Sequence, residues 1–136
     1  MSNDVALAVV TALRADTAIS ALVVARVHRR VLPMDPVFPA ITVTQIDDIA
    51  DMDTNTIGYA STRIQCTTWA SSDGVAQVLS SLIRTSLHRT INTLLTAGSD
   101  GVYVVSIKDA GSRPDVNPDI PLYMYHRDFM ITYDYK

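Results

Sequence analysis

The sequence predicts an α+β domain: a mostly antiparallel sheet of four to five strands, with N-terminal helices and one long amphipathic helix packed on one face. Three observations predict it. Residues 75–87 place apolar side chains at i, i+3, i+4 and i+7, the stripe of a half-buried helix. Residues 41–46, 59–70 and 122–135 instead alternate with period two. Two of these runs read as the arms of a hairpin, which favours antiparallel pairing over βαβ crossovers. With 136 residues, the chain forms one domain, 1–136.

Residues 5–15 read as the first helix. Ser2, Asn3 and Asp4 offer caps, and Ala6, Val9, Val10 and Leu13 share a side. Asp16-Thr17 interrupts the pattern. Ala18, Ile19, Leu22 and Val23 then predict a short second helix ending near residue 25. Pro33, Pro36 and Pro39 rule out a long helix before Ile41. A strand over 41–46 points Ile41 and Val43 inward. A polar connection over 47–58 carries Asp47, Asp48, Asp51 and Asp53, and a strand over 59–70 sets Ile64 and Cys66 against Arg63 and Gln65. Ser71–Gly74 is a helix-start cluster, and Val75, Val78, Leu79, Leu82, Ile83 and Leu87 form the stripe after it. Residues 90–97 are ambiguous between helix and strand. A β-branched strand spans 102–108, and the proline-bearing run 110–121 reads as a surface loop. The final strand puts Tyr123, Tyr125, Phe129, Ile131 and Tyr133 on one face and His126, Asp128, Thr132 and Asp134 on the other. Arg127 intrudes on the apolar face, where it pairs with an aspartate or stacks on a ring.

Composition excludes several functions. All 14 acidic residues are Asp, so mechanisms that need a Glu are absent. The net charge of -3 and the lack of any basic run beyond Arg29-Arg30 leave no cationic groove for nucleic acid. A single cysteine, Cys66, allows neither an intrachain disulfide nor a thiolate zinc site. Mid-strand on the apolar side, it reads as a core residue; Trp69 at the end of that strand reads as a core anchor first and as an interface anchor second. No apolar run approaches the ~20 residues that span a bilayer, and Asp4 stands where a secretory signal needs basic residues.

Asp51, Asp53 and Asn55 match the first ligands of a calcium loop, but Thr56 and Thr62 occupy its glycine and bidentate-acid positions. His28, His88 and His126 fall in separate elements without ligand spacing. No phosphate-binding glycine loop or serine elbow occurs. The reading is therefore of a chain with no catalytic residue, no cofactor and no metal.

The pattern resembles the tail terminator or tail completion proteins of long-tailed (siphovirus-like) bacteriophages. The resemblance lies in Ala12-Leu13-Arg14-Ala15-Asp16 with Ile19 and Leu22-Val23, in Arg26-Val27, and in Phe38-Pro39-Ala40-Ile41-Thr42-Val43 after the prolines. It continues in Arg63-Ile64-Gln65-Cys66-Thr67-Thr68-Trp69-Ala70 and ends in Arg127-Asp128-Phe129-Met130-Ile131-Thr132-Tyr133. It implies a structural virion protein of the tail or neck, assembled in the host bacterial cytoplasm. Such a protein forms a ring, typically a hexamer, that caps the tail tube and gives the head its docking surface. Its partners would be copies of itself, the tube protein and the head–tail connector proteins. DNA would pass through the lumen without sequence-specific binding, and no membrane is involved. A head–tail adaptor of the neck is the alternative, and a small ligand-binding domain or enzyme the distant one. A head-to-tail ring needs two complementary patches. The candidate interface pairs Arg29, Arg30 or Arg113 with Asp47, Asp48, Asp51 or Asp53, with apolar burial from Val37, Phe38 or Ile57.

Overall fold

A computed structural model describes residues 4–50, 59–88, 90–97, 100–117, 119 and 122–134. Helix α1 (Val5–Ala15) begins at Asp4, whose side chain accepts the Leu7 amide at 3.0 Å. Helix α2 (Thr17–Val23) begins at Asp16, which accepts the amides of Ala18 and Ile19. Each cap supplies a partner that the first turn lacks, and such caps typically contribute about 1 kcal/mol. The second helix stops at Val24, a β-branched residue at φ 58°. Its Cβ makes that conformation strained.

Six strands follow: β1 (Val27–Arg29), β2 (Ala40–Ala50), β3 (Tyr59–Ala70), β4 (Ile91–Ala97), β5 (Asp100–Asn117) and β6 (Leu122–Asp134). Helix α3 (Asp73–Leu87) lies between β3 and β4. The strands are ordered β1-β2-β3-β6-β5-β4. All neighbours are antiparallel except β1 and β2, which run parallel with Val27 opposite Ile41.

The predicted class holds, and its details change in three ways. The sheet is mixed and six-stranded instead of mostly antiparallel with four to five strands. The two unforeseen strands are the three-residue β1, too short to show a period, and β4, whose Ile-Asn-Thr-Leu-Leu-Thr-Ala suits either element. The acidic connection is shorter than read, because β2 continues through Ala50 by way of a bulge between Gln45 and Asp47. The run read as a loop from 110 is largely strand, since β5 reaches Asn117 through a bulge between Asp109 and Ser112.

The helices cover one face. α1 touches both edge strands, β1 and β4, so the sheet curls around it, while α3 packs on β3 and β6. Leu13, Ile19, Ile41, Ile64, Leu79, Ile83, Phe129 and Ile131 meet in the core with no exposure to water. Burial of a side chain of this kind is worth about 1.5–3 kcal/mol. The buried side of α3 runs through Ala76, Leu79, Ser80, Ile83 and Leu87. Val78, part of the predicted stripe, stands half exposed on the helix flank. α1 and α2 are both apolar but meet at 86°, and no single helix is long and apolar enough to cross a membrane.

Candidate functional site

The cross-strand register gathers the polar residues of β3, β5 and β6 onto the face that no described helix covers. Thr67 lies opposite His126, Gln65 opposite Asp128 and Arg63 opposite Met130, while β5 sets Arg113 against His126 and Asp115 against Met124. Asp128 is almost fully buried and accepts three hydrogen bonds. Arg63 Nε donates to its Oδ2 at 3.0 Å, Arg63 Nη2 donates to the same oxygen, and Gln65 Nε2 donates to Oδ1 at 3.1 Å. A buried carboxylate is tolerable only when paired and hydrogen-bonded in this way. Trp69 is half-buried on the same face and donates from Nε1 to Thr42 Oγ1 at 2.9 Å. It stacks no core; its polar tip fixes β2 against β3.

Beside Asp128 a cavity of about 260 Å³ is lined by Arg63, Ala110, Gly111, Ser112, Arg113, His126 and Asp128. The β5 bulge forms its rim, where Gly111 takes φ 112°, a conformation that a side chain would strain. On one wall His126 bridges two residues: Nδ1 lies 3.0 Å from Thr67 Oγ1 and Nε2 lies 3.4 Å from Asp115 Oδ2. The Val116 amide, and after it His126, hold the Asp115 carboxyl below its ordinary value.

Hydroxyl, imidazole and carboxylate here stand in the order of a nucleophile, base and orienting acid. The arrangement does not serve that chemistry. Thr67 is only 4% exposed, so its hydroxyl is closed to a substrate, and the carboxylate that would need burial is instead at the surface. The network locks register between β3, β6 and the far half of β5.

On the helix face the intruder Arg127 finds its partner. Its Nη1 donates to Asp109 Oδ2 at 2.6 Å, Arg84 Nε donates to the same oxygen at 2.8 Å, and Arg127 Nε donates to Ser80 Oγ at 3.0 Å. One carboxylate therefore ties α3 to β5 and β6. Burial alone would raise the Asp109 pKa, but the Gly111 amide and the two guanidiniums hold it below the ordinary carboxylate value. Cys66 is fully buried, and that burial pushes its thiol up to about 12. No cluster of three His, Cys or Asp side chains suited to a metal occurs among the described residues.

The structure separates the candidate interface residues. Arg29 already pairs with Asp4 of its own chain at 3.1 Å, and Arg30 is exposed at φ 67° with its amide on the Val43 carbonyl. Both lie on the β1 side of the sheet, alongside β2 with exposed Asp47 and with Asp48. Arg113 is exposed on β5, three strands across from β2. Phe38 is half-buried and Val37 exposed. Asp51, Asp53 and Ile57, with the calcium-like spacing, lie outside the described residues. Sequence reading missed the clusters around Asp128 and Asp109, because their members are 18 to 65 residues apart and only the register unites them. The one usable signal was Arg127 on an apolar face.

Comparison with known proteins follows the same direction. Over nearly its whole length the fold is similar to a chain in the solved structure titled "Virion of native gene transfer agent (GTA) particle". The TM-score is 0.68 at 18% identity, with 98% of this chain and 99% of that chain covered. No curated protein matches the sequence. Residues 7–119 match the family described as tail completion protein gp17. The chain belongs to that tail completion protein family, whose members are structural proteins of phage tails.

Proposed function

We propose that this chain forms a ring, of six copies, that caps the tail tube, ends its elongation and offers the surface on which the filled head docks. The family match over residues 7–119 carries the reading. The fold shared with a chain of a phage-like virion supports it and suggests a virion location. The tube protein and the head–tail connector proteins are then its neighbours. DNA passes through the lumen, and a chain of net charge -3 offers the phosphates no cationic grip.

A head-to-tail contact needs its two patches on different sides of the subunit. Arg113 on β5 and the β2 residues Asp47 and Asp48 meet that requirement, being three strands apart. Arg29 and Arg30 share the β1–β2 side with Asp47 and Asp48, which leaves Arg113 as the cation best placed to meet a neighbour's aspartates. Rim pairs of this kind contribute only about 0–1 kcal/mol each, so apolar contact from Val37, Phe38 or Ile57 supplies the rest. Imaging particles made without this protein tests the reading: over-long or unjoined tails are expected, whereas normal tails with leaking heads would point to a neck adaptor. Charge reversal at Asp47, Asp48, Asp51 and Asp53 together is expected to prevent ring closure and tail joining. Unchanged rings would dismiss the acidic hairpin as a contact.

A further inference from the structure

One row of residues can be followed across the sheet by its register. Asp47 on β2 lies opposite Arg63 on β3, Arg63 opposite Met130 on β6, and Met130 opposite Lys108 on β5. Asp47 and Lys108 are therefore level with each other, three strands apart. Directly opposed side chains share a face. Arg63 belongs to the Asp128 cluster, so the row runs over the face that no described helix covers.

Each end of the row carries an exposed charge that its own chain leaves unpaired. The cation opposite Asp47 is Arg63, which turns the other way and gives Nε and Nη2 to Asp128. Lys108 faces no acid across the strands, only Met130. Neither the Asp47 nor the Lys108 side chain has a hydrogen-bond or ion-pair partner among the described residues. The margins are also open at this level. β1 pairs with β2 only along Ile41–Val43, and β4 pairs with β5 only as far as Ser106, with Thr90 reaching Ile107. A bulge between Gln45 and Asp47 interrupts one ladder, and a bulge between Asp109 and Ser112 interrupts the other. Bulges occur at sheet edges and re-aim side chains there. The curl completes the arrangement. Because the sheet wraps α1, which touches both β1 and β4, the outer faces of β2 and β5 are turned away from each other. One subunit thus presents an acid on one flank and a base on the opposite flank, at one height.

Copies in a ring are related by rotation alone, so with strands along the axis each flank meets its neighbour's other flank at equal height. We propose that Asp47 of one copy pairs with Lys108 of the next. The occupant of each flank is a second copy of this chain, because unlike charges at one height on opposite flanks are what a head-to-tail contact joins. This rests on the ring reading above and names Lys108 as a cation of its contact. Arg113 on the same strand is level with Thr42, where β1 covers the margin, so of the two cations Lys108 alone is level with Asp47.

A charge swap tests the pairing with both sites at the surface. Asp47→Lys sets a lysine against Lys108, and Lys108→Asp sets an aspartate against Asp47. Like charges face to face are strongly unfavourable, so each single variant is expected to cut incorporation into tails at least about tenfold while the far-ultraviolet circular dichroism stays unchanged. The two substitutions on one chain restore unlike charges across the contact, and incorporation is expected to return to within about threefold of wild type. Local damage cannot mimic that rescue, since the two residues are three strands apart in their own chain. Single variants that assemble normally would overturn the pairing and leave the ring standing. A double swap no better than the worse single would also overturn it and give the flanks to a different partner. Tails that end and join normally in particles without this protein would remove the ring reading itself.

Discussion

Asp109 receives Arg127 and Arg84 on one oxygen and the Gly111 amide on the other. Such a carboxylate is worth most where water is excluded, and Arg127 and Asp109 side chains are only 13% and 12% exposed. Removing one member leaves the other desolvated and short of partners, which costs more than the intact pair contributes. Arg127→Met is therefore expected to lower stability by about 2–3 kcal/mol, against less than about 1 kcal/mol for Arg84→Met on the more exposed side. Urea denaturation of the two variants checks that order, and equal losses would refute it. Val24 offers the opposite sign. It is well exposed at φ 58°, so Val24→Gly gives up little packing and removes strain. A net gain of about 1 kcal/mol in the same assay is expected. Cys66, with a thiol near 12 and no exposure, should resist thiol reagents in the native protein and react fully in urea.

Elements whose own periodicity decides them were legible in the chain, and those decided by neighbours were not. α1, α3, β3 and β6 announce themselves because Leu13, Leu79, Ile64 and Phe129 recur with the period of the surface they bury. β1 has three residues and exists only because Ile41–Val43 accepts a parallel partner. The far half of β5 was hidden by Gly111 and Pro114, which ordinarily mark loops. There they occupy an edge, beyond the reach of β4, whose pairing starts at Ser106. Several amides along that stretch are taken locally. The Asp109 amide is taken by His88 Nδ1, the Gly111 amide by Asp109 Oδ1, and the Val116 amide by Asp115 Oδ1, while Pro114 has no amide to offer. Free strand edges recruit other chains, and proline with local side-chain caps blocks this. Replacing Pro114 by Val and Asp115 by Ala together is expected to leave the melting temperature within a few degrees and to produce concentration-dependent association. Light scattering across a concentration series reads it; a variant that stays monodisperse would show that the caps are incidental. The candidate contact surface was half legible for the same reason: charge and proline positions are in the chain, but which side of the subunit each occupies follows from strand order.

Across the whole molecule, an imidazole and a carboxylate shape how stability responds to acid. Burial, and after it the charges of Arg14 and Arg26, lower the His28 pKa from 6.5. An unfolded chain then holds more protons than the folded one as pH falls past that value, so stability is complete above about 6.5 and declines below it. Asp109 is held below its ordinary 3.8 by the Gly111 amide and two arginines, against the effect of burial. Its contribution is whole above that value and disappears as pH drops through the folded-state pKa. The acid limb should therefore descend in two stages, one starting near neutrality and one below the usual carboxylate range. His28→Asn is expected to flatten the first stage and spare the second. Asp109→Asn lowers the plateau, through the loss of the clamp, and flattens the second. Urea midpoints measured from pH 8 to pH 2.5 separate the stages, and an unaltered slope between pH 6.5 and 5 in His28→Asn would show that this imidazole carries no linkage.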